Sequence, residues 1–233
     1  MRAVPLVVID PGHGGRDPGA VANGFQEKNL VLQTSLLLRD ALQRCGFRVI
    51  MTRTTDTLPD PNGTIGQDLA YRARLANDAK ADLFISWHTD AASTAAVNGV
   101  AIWIHPSTRE GRTQQWASRI VNAIAAATGQ NNRGVYYGDF QVLRDTAMDA
   151  VLVESGFITN AAEASRMATR DYQIAAAEGA ARGYALFLTC HITHRPARPR
   201  SRGRLRRQRR PHRRIRRPVR KSCRPGRKSR SAK

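Results

Sequence analysis

Five short apolar runs separated by stretches of helical periodicity leave this chain few folds to choose from. The runs cover residues 4–10, 47–52, 82–87, 99–104 and 149–154 and are rich in Val, Ile, Leu and Phe, as buried strands are. Between and after them, apolar residues recur at helical spacing over about 27–45, 67–80, 111–128 and 171–190. Strands alternating with helices bury a sheet under helices on both faces. The pattern predicts a single three-layer α/β domain with a mostly parallel, twisted sheet. In the first helix Leu30, Leu37, Leu38, Ala41 and Cys45 fall on one face, with Gly46 as the stop. In the last, Ile174, Ala177, Ala181, Ala185 and Leu188 share a face that closes the domain. The helix over 67–81 carries Arg72, Arg74 and Lys80 among Ala and Leu and reads as an ordinary solvated face.

Charge divides the chain near residue 194. Of 38 Lys and Arg, 20 lie in 195–233, where there is no Asp or Glu, and all 18 acidic residues precede that segment, matched there by the remaining 18 basic ones. The net charge of +20 therefore belongs entirely to the tail. The segment before it, of ordinary single-domain size, has enough length to bury a core. The tail offers only Leu205, Ile215 and Val219 as sizeable apolar residues and cannot offset its own ordering entropy, so disorder is expected. The division predicted is a catalytic domain over 1–192 and an Arg-rich tail over 193–233.

Candidate chemistry sits at strand ends, where open α/β sheets place ligands. The first strand stops at Asp10 and runs into Pro11-Gly-His-Gly-Gly15, which puts His13 inside a tight turn. Glu27 opens the first helix, where the helix dipole alone would favour it. His88 follows the strand over 82–87. Each has a structural explanation by itself, but together they match the His₂Glu donor set of a catalytic zinc site with its fourth position open. Glu154 ends a Val-Leu-Val strand, where a carboxylate is costly to bury unless it is paired or used. It is the candidate general base, with Asn160 the better candidate to cap the next helix. Trp87, beside His88, reads as core.

The set Asp10-Pro-Gly-His-Gly-Gly15, Glu27-Lys-Asn29, Ser86-Trp-His-Thr-Asp-Ala91 and Val153-Glu-Ser-Gly-Phe-Ile-Thr-Asn160 resembles the zinc-dependent N-acetylmuramoyl-L-alanine amidases of the amidase-3 type. The likeness covers about residues 4 to 190. It includes Thr52-Arg-Thr-Thr-Asp56, the segment Arg72 to Asp82 and Asn132-Arg-Gly-Val135 through Asp145. The resemblance implies that His13, Glu27 and His88 bind Zn²⁺ and that Glu154 is catalytic. The implied reaction is hydrolysis of the amide between N-acetylmuramic acid and L-alanine in peptidoglycan. Thr89 and Asp149 stand where the family more often has Ala and Pro; the first change is expected to be tolerated, and the second, in the turn before the last strand, to touch none of the four key residues. The interval between His88 and Glu154 is too short for the regulatory helical insertion of some members, so an open site is expected.

The remaining features are less specific. Cys45, Cys190 and Cys223 lie far apart and form neither a metal motif nor a disulfide framework. His191 and His194 read as a helix end, and His105 and His212 have no motif context. No signal peptide or membrane-spanning run is visible, so the expectation is synthesis in the cytoplasm and action at the cell wall or periplasm, by phage endolysin-like export or from a misassigned start. A monomer is expected. The tail is expected to bind anionic envelope polymers. The rival reading is a polyanion- or nucleic-acid-binding protein that acts through the Arg-rich tail by non-specific counterion release, its amidase-like domain non-catalytic.

Overall fold

The computed structural model describes residues 4–185. The chain runs through β1 (Leu6–Pro11), a short hairpin of β2 (Val21–Ala22) and β3 (Phe25–Gln26), α1 (Glu27–Arg44), β4 (Arg48–Met51) and α2 (Ile65–Asp78). It continues through β5 (Leu83–Asp90), β6 (Val100–Ile104), α3 (Arg112–Thr128), β7 (Asn132–Tyr137), α4 (Gln141–Arg144), β8 (Asp149–Phe157), α5 (Ala161–Met167) and α6 (Arg170–Ala185). Six strands form one sheet in the order β4-β1-β5-β8-β6-β7, parallel throughout except where β6 meets β8.

The strand alternation that builds the sheet also divides the core. Val7, Ile9, Ile85, Trp87, Val151 and Val153 face one side and pack with residues of α1, α3 and α6, among them Leu38, Ile124 and Ala181. Leu6, Val8, Phe84, Ala150 and Leu152 face the other side and meet Ala76 of α2 and Leu143 of α4. The mostly parallel sheet with helices on both faces is the architecture expected, and Trp87 is fully buried in it.

Several elements differ from expectation. The stretch between α3 and β8, where the sequence pattern gives no strand or helix, contributes the edge strand β7 and the single turn α4; β7 is defined by its pairing with β6. Its polar start, Asn132-Arg-Gly134, hid it, because an edge strand need not be apolar on both faces. The β2–β3 hairpin turns on Asn23-Gly24, both at positive φ, which is the pair that favours a two-residue hairpin loop. Helix α2 begins two residues early, at a capping box in which Thr64 and Gln67 satisfy each other's backbone N–H. On α6, Ile174 is exposed, and Ala176, Ala180 and Tyr184 join Ala177 and Ala181 on the buried face. Leu188, Cys190, Cys223, His191, His194, His212 and the whole tail with its boundary at 192/193 lie outside the described residues.

Candidate metal centre

Parallel pairing sets the site. β1 and β5 run side by side with Pro11 opposite Trp87, so the loop leaving β1 stands beside the end of β5. β8 lies on the other side of β5, with Glu154 opposite His88. Helix α1 starts above this junction because Glu27 N–H donates to Ala20 O and Lys28 N–H to Pro18 O. Four residues distant in sequence thereby meet at the carboxyl ends of neighbouring strands.

Glu27 holds the centre. Its Oε2 lies 3.1 Å from His13 Nε2 and its Oε1 lies 3.0 Å from His88 Nδ1. Backbone N–H groups of Ala20 and Thr89 donate to the same two oxygens at 2.9 and 3.0 Å. The side chain is almost wholly buried. Burial would raise its carboxyl, but the hydrogen bonds from the two imidazoles and their charge outweigh that and hold it far below the ordinary carboxylate range. One donor atom from each of His13, Glu27 and His88 falls within 4.8 Å of the others. Donors about 2.0–2.1 Å from one tetrahedral ion stand about 3.3 Å apart. The two imidazole–carboxylate spacings, 3.1 and 3.0 Å, are close to that, and two imidazoles with one carboxylate suit zinc. The residues present fit the ion.

His13 is held in place from behind. Its backbone lies at φ +61°, a region a non-glycine residue rarely adopts and one associated with functional positions. Asp17 Oδ2 accepts from Nδ1 at 2.8 Å, which fixes the ring so that Nε2 faces Glu27. Burial pulls the His13 imidazole down, while Glu27 and Asp17 together raise it above its ordinary value. Two glycines admit the cluster: a Cβ at Gly12 would stand 2.2 Å from the His88 ring, and one at Gly19 would stand 2.6 Å from both Glu27 Oε2 and His13 Cδ2.

Beneath the loop lies a network of buried charge. Arg72 donates to Asp68 Oδ2, Asp10 Oδ1, Pro11 O and His13 O, between 2.6 and 2.9 Å. Arg53 donates to Pro11 O, Gly12 O, Thr55 O and Lys28 O. Asp10 also accepts from Thr52 and Ser86. The two guanidinium groups therefore hold three successive carbonyls, of Pro11, Gly12 and His13. Arg72 contradicts the expectation of a solvated helix face: it is 2% exposed, while Arg74 and Lys80 are exposed as expected. The signal was present in Asp68, one turn before Arg72, and in Asp10, a charge inside an apolar strand that needs a partner.

Glu154 faces the centre from β8. Burial raises its carboxyl well above the ordinary value, and the charges of Glu27 and Asp90 push it the same way. Its Oε2 is buried with no hydrogen-bond partner among the described residues. It lines a cleft of about 310 Å³ together with His13, Glu27, His88, Leu152 and Phe140. The His13 and His88 side chains keep 22% and 19% of their surface, so the centre is reachable from solvent. Asp149, at the far end of β8, is engaged with Thr113 and Arg112 of α3, away from the cleft. Asn160 caps α5 by accepting from Glu163 N–H, as expected.

The sequence profile of N-acetylmuramoyl-L-alanine amidases matches residues 7–185. The chain belongs to the N-acetylmuramoyl-L-alanine amidase family. The amidase domain is 35% identical over 179 residues to the sporulation-specific N-acetylmuramoyl-L-alanine amidase of Bacillus subtilis, covering 76% of this chain and 66% of that one. It is 36% identical over 188 residues to the endolysin of Bacillus phage SPP1, covering 78% of this chain and 66% of the endolysin. Some relatives are much longer, and the chain spans only 33% of one Bacillus subtilis amidase. Among solved structures, the catalytic domain of the amidase CwlV from Bacillus (Paenibacillus) polymyxa superposes with a TM-score of 0.71 at 33% identity, covering 80% of this chain and 99% of that domain.

Proposed function

We propose that the amidase domain hydrolyses the amide between N-acetylmuramic acid and L-alanine in peptidoglycan, with zinc held by His13, Glu27 and His88. The observation that carries this reading is the buried Glu27 carboxylate, bracketed by His13 Nε2 and His88 Nδ1 at metal-ligand spacing beside an unpartnered Glu154 oxygen. A zinc ion bound there supplies Lewis acidity toward a carbonyl and a water.

The protein's own residues supply the rest. Asp17 keeps the His13 Nδ1 proton in place, so Nε2 stays available as a ligand. Glu154 has proton affinity well above that of an ordinary carboxylate and a free Oε2. It accepts a proton from the attacking water at that atom and returns it to the departing amine nitrogen of L-alanine. The apolar neighbours Leu152 and Phe140 limit the water around it. Among the described residues no helix is long and apolar enough to cross a membrane. The action proposed is at the cell wall, with the 20 basic residues of 195–233 attracting anionic envelope polymers.

The test compares zinc content and turnover on isolated peptidoglycan. His13→Ala and His88→Ala are expected to lose both. Glu154→Gln is expected to retain zinc and fold while turnover drops by a factor of about 10² or more. Near-normal turnover in Glu154→Gln would sink the assigned role of this carboxylate.

A further inference from the structure

A second depression lies beyond Glu154, at the edge of the sheet. Glu154 pairs with Ala101 of β6, and Ala101 pairs with Gly134 of β7, so one row crosses from His88 to the sheet edge with only small residues beyond Glu154. The adjacent row, Leu152–Trp103–Tyr136, forms one wall. Trp103 stacks on Tyr136 at 5.1 Å and meets Phe140 edge-on at 5.4 Å. Phe140 lines the catalytic cleft, and Tyr136 lines a second depression of about 490 Å³ at the edge strand. Trp103 touches one lining residue of each, Phe140 and Tyr136, so one aromatic cluster lies between the two depressions.

The edge depression is polar and cationic, lined by Asn98, Asn131, Asn132 and Arg133. Two of the amides are engaged: Asn131 Nδ2 donates to Asn98 Oδ1, and Asn132 Nδ2 donates to Asn122 Oδ1. Arg133 supplies the positive charge of this lining. It is the extra residue where the register of β6 and β7 slips, and it is exposed. Its guanidinium makes one long hydrogen bond, Nη1 to Asn98 O at 3.3 Å, and lies 5.2 Å from the Phe157 ring. No carboxylate among the described residues stands within ion-pair distance of it. Its charge nevertheless lowers the Asp90 carboxyl that burial raises, and Asp90 lines the cleft.

Two strand spacings separate Glu154 from Gly134, about 10 Å. An extended peptide advances about 3.3–3.6 Å per residue, so that span holds about three residues. We infer that the surface running from Glu154 past the Trp103 cluster to the edge depression binds the peptide on the leaving-amine side of the scissile amide, and that Arg133 selects substrates with a free carboxylate on the second or third peptide residue. Arginine suits this because its planar fork pairs bidentately with a carboxylate. The inference rests on the amidase reading above and adds to it the side of the substrate that is read by charge.

Two N-acetylmuramoyl tripeptides test it, one with free carboxylates and one with every carboxylate amidated. Full-length wild-type enzyme is expected to prefer the acid about tenfold in kcat/KM, mostly through KM, with the preference shrinking as salt rises. Arg133→Gln should cut that preference to near unity by weakening the acid alone, and Arg133→Lys should restore part of it. A merely structural role would slow both substrates equally and leave the preference standing. Arg133→Gln that keeps the preference, or a wild type that cleaves both alike, overturns the inference and leaves the amidase reading intact. A wild type that cleaves neither overturns both.

Discussion

Arg72 Nη2 donates to the main-chain oxygen of His13 at 2.9 Å, so a helix on one face of the sheet fixes the backbone of a ligand carried on a strand-end loop. The same guanidinium pairs with Asp10 and Asp68, both buried. Arg72→Gln strands two buried carboxylates and frees the His13 carbonyl. Removing one partner of a buried ion pair costs about 3–5 kcal/mol. Chemical denaturation should show a loss of that size, with zinc affinity falling alongside it. A change under 1 kcal/mol would mean that water replaces the guanidinium at no cost and that the network does not support the loop.

Gly12 and Gly46 offer a matched pair of alanine substitutions. At Gly12 the new methyl would meet the His88 ring at 2.2 Å, so His88 must move. At Gly46, φ is +85° and nothing lies within 4 Å of the added Cβ. Gly46→Ala should cost roughly 1 kcal/mol of stability from backbone strain and leave turnover unchanged. Gly12→Ala should lose zinc and activity even where the protein remains folded by circular dichroism. Equal zinc content in the two variants would contradict the close approach.

Acid should unfold the protein partly through Asp10. Burial alone would raise its carboxyl, but the Arg72 charge and the Thr52 and Arg72 hydrogen bonds hold it below its ordinary 3.8. A group depressed in the folded state contributes stability that is fully present above its unfolded value and lost as pH falls through the folded one. Stability measured from pH 5 down to pH 2 should therefore fall less steeply in Asp10→Asn, which is also less stable at pH 7 because Arg72 loses a counter-charge. Parallel pH curves for the two proteins would remove Asp10 from the acid response.

The tail makes a separate prediction. Its 20 basic residues have no acidic partner within 195–233. Attraction to an anionic surface contributes about 1 kcal/mol per basic residue that reaches it, screened over a Debye length of about 8 Å at physiological salt. Deleting 195–233 should leave turnover on small soluble muramoyl peptides unchanged and weaken binding to whole sacculi, most of all at low salt. Equal binding of both forms across a salt series would dismiss the anchoring role.

Residue identity and local pattern were enough to place β1, α1, β5 and β8 within a few residues and to single out His13, Glu27, His88 and Glu154. Strand-end positions and turn chemistry are local properties, readable where they occur in the chain. Tertiary structure decided what depends on distant partners. Arg72 looked like a solvent-facing helix residue because its partners Asp10, Pro11 and His13 lie about 60 positions away, and only the packing of α2 on β1 brings them together. The partner of His13, Asp17, has no signal of its own in the sequence; the His13 backbone at positive φ aims Nδ1 at it. β7 was hidden because an edge strand with a polar start carries no period of its own and is defined by pairing with β6. Register likewise decided the row that links Glu154 to the sheet edge. That Glu154, Ala101 and Gly134 share one row, with Arg133 at its end, follows from hydrogen bonding between strands, which no local stretch of sequence encodes.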